Sequence, residues 1–182
     1  MSGLKNLVIG AAGALGVGIG LKTIISSAAE SQKTLAQMDA VLKSTGDVSG
    51  MTKDQLLALA DSQAKVTTFS KGTTEQAENM LLTFTGIGKD VFPDTLRATE
   101  DMATAMHMDA TDAAKTLGKA LNDPSAGLSK LTKQGVTFTD AHKKQRQAMQ
   151  KAGDTAGAQK VKLQELAREI GCRAKAAALT AA

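Results

Sequence analysis

The four phenylalanines of this 182-residue chain all lie between residues 69 and 138, and the chain contains no tryptophan and no tyrosine. Large aromatic rings supply much of the buried area of a protein core, so we expect the middle of the chain to form a packed domain. Three of the rings lie in short segments flanked by turn residues. They are the predicted core anchors Phe84, Phe92 and Phe138.

Outside this group the apolar residues are mainly alanine, leucine and methionine, which favour helices, whereas the residue types that favour strands are scarce. The composition therefore predicts an all-α fold. We expect a long N-terminal amphipathic helix within residues 1–46, followed by a small multi-helix domain of short helices over 47–171. An alanine-rich tail, 172–182, would complete the chain.

The N-terminal region combines glycine spacing with a heptad pattern. Apolar or small residues recur at positions a and d from Leu7 to Leu42, as in a helix with one apolar face. We call the following positions the seam: Leu7, Ala14, Val17, Leu21, Ile24, Ala28, Leu35, Met38 and Leu42. The seam could pack on later helices of the same chain, on copies of itself or on a surrounding protein.

Residues 6–21 carry no charge and include five glycines, so three other interpretations compete for them. A membrane span needs about 20 apolar residues, more than this stretch supplies. A secretory signal peptide would place Lys22 between its apolar part and its cleavage site. A dinucleotide-binding loop at Gly10, Gly13 and Gly16 would need further strands, and helical periodicity follows instead.

Helix-capping signals divide the middle of the chain. Capping boxes at 52–55 and 73–76 predict two helix starts, and Gly86 predicts a left-handed helix stop. Further helix starts are predicted at Pro93, Asp109, Thr139 and Asp154, and a stop at Gly153.

Chemistry-bearing residues are sparse. The net charge of +4 comes from basic residues interleaved with acidic ones, which does not indicate a specific nucleic-acid partner. The single cysteine, Cys172, permits no intrachain disulfide and no cysteine-based metal site, and it favours a reducing compartment. His107 and His142 stand alone, and no nucleophile or phosphate-binding motif occurs. We therefore predict a non-enzymatic protein without a cofactor or metal.

A series of short motifs, taken in order and spacing, resembles the N-terminal conserved region of tail length tape measure proteins of long-tailed bacteriophages and prophages. The resemblance covers about residues 20–171. The motifs are Asp39–Gly46, Leu56–Ala60, Met80–Pro93, Gly118–Pro124, Gly135–Thr139, Gly153–Thr155 and Gly157–Lys160.

The resemblance implies a structural role. Proteins of this family scaffold the polymerisation of the tail tube, set the tail length, lie in the tube lumen of the virion and leave it during genome ejection. The implied partners are copies of the chain itself and tail-tube and tail assembly proteins, in the host cytoplasm during assembly, with membrane contact during ejection. Family members are usually several times longer, so the resemblance implies a fragment or a decayed prophage product. The alternative is a small membrane-active helical protein that inserts residues 6–21.

Overall fold

The computed structural model describes residues 17–122, 131–132 and 136–181, with side chains from residue 28 onward. The chain divides into two compact units, Met1–Lys33 and Thr34–Ala182. In the first unit, the described residues from Val17 onward are helical. The packing described below belongs to the second unit.

The described elements are helices. In chain order they are α1 (Val17–Thr45), α2 (Lys53–Ala64), α3 (Lys71–Leu82), α4 (Phe92–Met106), α5 (Ala110–Asn122), α6 (Asp140–Lys151), α7 (Thr155–Ile170) and α8 (Arg173–Ala181). No strand occurs among the described residues, and the all-α prediction is confirmed. The predicted long N-terminal helix within residues 1–46 corresponds in part to α1. Residues 1–16 of this prediction lie outside the described residues.

Several helix ends lie where local sequence signals predict them. Thr52 Oγ1 accepts the backbone N–H of Gln55, and the Gln55 side chain accepts the N–H of Thr52, which completes a capping box at the start of α2. Thr139 and Asp154 cap α6 and α7 through their side-chain oxygens. Gly153, between these two helices, has φ +78°. Each of these devices needs only residues a few positions apart, so sequence reasoning can find it.

Two local predictions are wrong. Helix α3 begins at Lys71 rather than after Thr73, because Ser70 is its cap and accepts the N–H of Thr73. Gly86 does not end a helix in the left-handed conformation, since α3 stops at Leu82. Gly86 instead packs closely on Asn122: its N–H donates to the Asn122 side-chain oxygen at 2.9 Å, and a Cβ atom at Gly86 would lie 2.6 Å from that oxygen and displace it.

The core is built from several packed pairs of helices. Helix α3 packs against α2, α4 and α5, helix α4 also packs against α5, α7 and α8, and α6 packs against α7. The largest fully buried apolar side chains are Met38, Leu56, Leu81, Ile87, Phe92, Leu96, Met102, Leu117, Leu121, Leu131 and Leu166. Met38 belongs to α1 and Ala174 of α8 is also buried, so the compact unit extends beyond residues 47–171 at both ends.

Candidate functional site

The structure distributes the residues of the seam over different environments. Leu7 and Ala14 lie outside the described residues, and Val17, Leu21 and Ile24 lie on α1 in the part described by its backbone. Ala28 is exposed and Leu35 is half-buried. Met38 and Leu42 are buried in the core of the second unit. The C-terminal end of the seam therefore packs on this chain's own later helices, one of the three arrangements that the heptad pattern leaves open.

The three phenylalanine positions lie in or beside the core. Phe92 is fully buried at the start of α4, and Phe138 is buried just before α6. Phe84 is half-buried and packs against the core. Its ring faces Gly118 of α5 so closely that a Cβ atom there would lie 2.3 Å from two ring carbons.

An acidic cluster lies between α3 and α4, and we use this name for Glu75, Glu78 and Glu100. Glu78 is 0% exposed and Glu100 is 1% exposed. The Thr74 hydroxyl donates to Glu100 Oε1 at 3.0 Å. Both carboxyl oxygens of Glu78, and Glu100 Oε2, are buried without a hydrogen-bond partner among the described residues. A buried carboxylate without partners is strongly unfavourable, so such a group retains its proton.

The pKa values of the cluster follow from this burial. Burial, with added repulsion from Glu75 and Glu100, raises the pKa of Glu78 to about 9, although Lys71 acts in the opposite direction. Burial also raises the pKa of Glu100 to about 7, against the hydrogen bond from Thr74. The pKa of Glu75 is raised by burial and lowered by Lys71, with burial the larger effect. Glu78 is therefore a neutral carboxylic acid at pH 7.

Helix α7 buries a stripe of polar side chains. Gln159 Nε2 donates to the carbonyl oxygens of Gly86 at 2.8 Å and Leu121 at 3.2 Å. Lys162 Nζ donates to the carbonyl oxygen of Ala120 at 2.7 Å. These acceptors include the last carbonyls of α5, which have no partner within their own helix and carry the negative end of its dipole. The stripe thus joins α7 to the end of α5.

The same stripe continues toward α6 at Glu165. This buried carboxylate contacts His142 of α6 and Arg168, one turn further along α7. The carboxylate of Glu169 accepts the N–H of Thr137 at 3.0 Å. The side chains of Glu165 and Glu169 therefore link α7 to α6 and to the segment before it.

Asp101 of α4 caps the start of α8 across the fold. Its carboxylate accepts the N–H groups of Cys172 at 3.0 Å and Ala174 at 2.9 Å. Asp101 therefore serves the N-terminus of a helix that begins about seventy residues later in the chain. Cys172 itself is exposed, with φ +63°.

Replacement of Asp101 by asparagine should loosen α8. Asparagine presents one acceptor oxygen instead of two and no charge for the helix N-terminus, so we expect a loss of about 1 to 2 kcal/mol in the docking of α8. Amide hydrogen exchange at residues 174–181 would measure it. Asp94→Asn is the matched control on the same helix, because the exposed pair of Asp94 with Arg97 contributes at most about 1 kcal/mol. Equal exchange in wild type and Asp101→Asn would contradict the capping role.

A groove of about 400 Å³ lies between α4 and α7, beside the α7–α8 junction. Its lining includes Ala98, Leu163 and Ile170, with Arg97 and Lys160 also present. Its residues do not assemble a recognisable catalytic arrangement. Among the described residues, no group of three or more histidine, cysteine, aspartate or glutamate side chains could hold a metal ion. No helix in the described part of the chain has the length and hydropathy to span a membrane.

Sequence reasoning missed the buried polar residues, although periodicity contains a signal for some of them. Glu78 precedes Leu81 and Leu82 by about one turn, and Glu100 lies between Leu96 and Ala103 at helical spacing. Both positions therefore fall on the inward faces that the apolar residues define. Their residue type nevertheless predicts exposure, because glutamate is rarely buried without a partner.

Comparison with known proteins identifies a family. The model of a family described as prophage tail length tape measure protein matches residues 2–145. No curated protein and no solved structure matches the chain. The matched range includes α1 to α5, the acidic cluster and the first half of α6, whereas α7 and α8 follow it. Since the match covers well over half of the sequence, the chain belongs to the prophage tail length tape measure protein family.

Proposed function

We propose that this chain is a structural module of a tape measure protein. In this role it scaffolds the polymerisation of tail-tube subunits, helps to set tail length and takes part in genome ejection. The family match over residues 2–145 is the observation that carries the proposal. The all-α fold agrees with a scaffold made of helices, and the role requires no catalysis and no cofactor.

The proposed partners are other copies of the chain and the tail-tube and tail assembly proteins. The part of the seam before Met38 is the proposed self-association surface, because Ala28 is exposed and Leu35 is only half-buried. Copies of α1 could pack through these positions as heptad helices do. The proposed location is the lumen of the phage tail, after assembly in the host cytoplasm.

A pair of variants on α1 tests self-association. Ala28→Glu puts a charge on the seam, and Ala29→Glu puts the same charge on the neighbouring exposed position outside it. If the seam associates, Ala28→Glu should raise the dissociation constant of the oligomer at least about tenfold, because the charge would lose its water in the interface. Ala29→Glu should leave the constant nearly unchanged. Light scattering on the full chain over a range of concentrations measures both.

Three results would reject parts of this proposal. A wild-type chain that stays monomeric at every concentration rejects self-association, and equal effects of the two variants reject the seam as its surface. For the scaffold role, the tail-tube protein of the same prophage should form sedimentable assemblies more readily with the chain than without it. No change in tube assembly would count against a scaffold. Binding to liposomes by the full chain would favour the membrane-active alternative.

A further inference from the structure

The acidic cluster is the part of the described structure whose chemistry a scaffold role leaves unexplained. Glu78 lies on α3, which packs against α4, and α4 carries Glu100. Both glutamates are almost completely shielded from solvent. Neither oxygen of Glu78 has a hydrogen-bond partner in the described part of the chain, so the packed arrangement suits a neutral side chain and opposes a charged one.

The charged groups around Glu78 do not offset an ionised carboxylate. On α3, Lys71 is exposed and Glu75 is a like charge. On α4, Glu100 is a like charge, and Asp101 is engaged with the backbone of Cys172 and Ala174.

The other helices near α3 contribute no described counter-charge to Glu78. From α1, the carbonyl oxygen of Thr34 accepts the amide of Asn79, the neighbour of Glu78. On α2, Asp61 pairs with Lys65. The charged side chains of α5, which are Asp112, Lys115 and Lys119, are exposed, and its buried residues are apolar or glycine.

We propose that the acidic cluster is a proton-dependent switch, in which α3 and α4 pack while Glu78 is a neutral acid and separate locally when it loses its proton. Ionisation would place a second or third negative charge in a site that is shielded from solvent and offers no described partner for it. The least costly response is movement of the Glu78 side chain into solvent, which requires the two helices to part.

The direction of the pH dependence follows from linkage. In the unfolded chain Glu78 has its ordinary pKa of 4.5, and in the folded protein burial raises the pKa to about 9. The folded state therefore holds a proton that the unfolded state has released between these two values. The stabilising effect of the protonated form is fully present below pH 4.5 and is lost progressively as the pH rises to about 9. The stabilising effect of protonated Glu100 is lost in the same way, as the pH rises from its ordinary pKa of 4.5 to about 7.

Urea unfolding of the full chain, followed by circular dichroism at pH 6 and pH 9, tests the switch. For the wild type we expect a lower urea midpoint at pH 9 than at pH 6. Glu78→Gln keeps the shape of the side chain without its titration, and it should abolish most of this shift and raise the midpoint at pH 9. Asp90→Asn, which changes an exposed loop carboxylate, is the matched control and should preserve the wild-type shift.

Amide hydrogen exchange then tests whether the opening is local. Between pH 6 and pH 9, after correction for intrinsic exchange rates, protection in α3 and α4 should fall at least tenfold relative to α7. Glu78→Gln should prevent that fall, and Glu100→Gln should reduce it mainly below pH 7. An equal fall in α3, α4 and α7 would overturn a local switch. An identical midpoint shift in wild type and Glu78→Gln would overturn the role of Glu78.

Discussion

Replacement of Phe92 by alanine should destabilise the protein by about 3 to 5 kcal/mol, the usual loss for a fully buried aromatic side chain. Phe92 is 0% exposed and is the first residue of α4. Its ring belongs to the same core cluster as residues from α1, α3 and α5. Alanine would remove the contacts of the ring with these residues and leave a cavity. The surrounding structure can fill this cavity only in part by relaxing.

Such a loss would consume a large part of the stability of a typical domain, which is about 5 to 15 kcal/mol. Urea unfolding followed by circular dichroism at 222 nm would measure it. Phe92→Leu retains most of the apolar volume and should cost less than about 2 kcal/mol. Leu179→Ala changes a side chain that is 76% exposed and should stay within about 0.5 kcal/mol of wild type. A loss below about 1 kcal/mol for Phe92→Ala would show that Phe92 does not anchor the core.

Local sequence signals succeed where both partners of an interaction are close in the chain. The capping box of Thr52 with Gln55 and the caps at Thr139 and Asp154 are of this kind. The inward alanines and leucines of α5 also follow directly from its 3.6-residue period. These features account for the all-α fold and for several helix starts.

The same reasoning fails where a distant partner decides the outcome. Gln159 and Lys162 are buried because their side-chain N–H groups donate hydrogen bonds to carbonyl oxygens of the 83–91 loop and of the end of α5. The sequence pattern of α7 identifies Val161, Leu163 and Leu166 as apolar but contains nothing about those carbonyls.

The C-terminal segment illustrates the same limit. Its alanine-rich sequence predicts only a tail. In the structure, Asp101, about seventy positions earlier, caps the helix that this segment forms.

The acidic cluster combines both situations. Periodicity places Glu78 and Glu100 on inward faces, and tertiary packing of α3 against α4 then removes the water that would solvate them. From the sequence alone, glutamates on an apolar helix face are expected at the solvent-exposed edge of that face. The structure therefore adds the property that matters for the proposed switch, which is that no described group hydrogen-bonds to Glu78.

A comparison of two helical glycines should separate helix propensity from packing. Alanine is a better helix former than glycine by about 0.5 to 1 kcal/mol. A Cβ atom at Gly72, the second residue of α3, would meet nothing closer than the Ser70 hydroxyl oxygen at 4.0 Å, so Gly72→Ala should stabilise the protein by up to about that amount. At Gly118 of α5 the same methyl group would lie 2.3 Å from two carbons of the Phe84 ring. There we expect a net loss of about 1 to 3 kcal/mol from overpacking.

A double-mutant cycle identifies the cause. If the Phe84 ring is the obstacle, Gly118→Ala should become neutral or stabilising in a Phe84→Ala background, and the coupling energy between the two positions should reach about 1 to 3 kcal/mol. Urea unfolding of the four proteins supplies the values. Additive effects would mean that α5 needs glycine at 118 for another reason, and a stabilising Gly118→Ala in the wild-type background would contradict the close packing of the Phe84 ring on α5 at this point. The glycine at 118 lies in one of the motifs that carry the family resemblance, so the cycle also assigns a physical requirement to that motif: room for an aromatic ring against the helix.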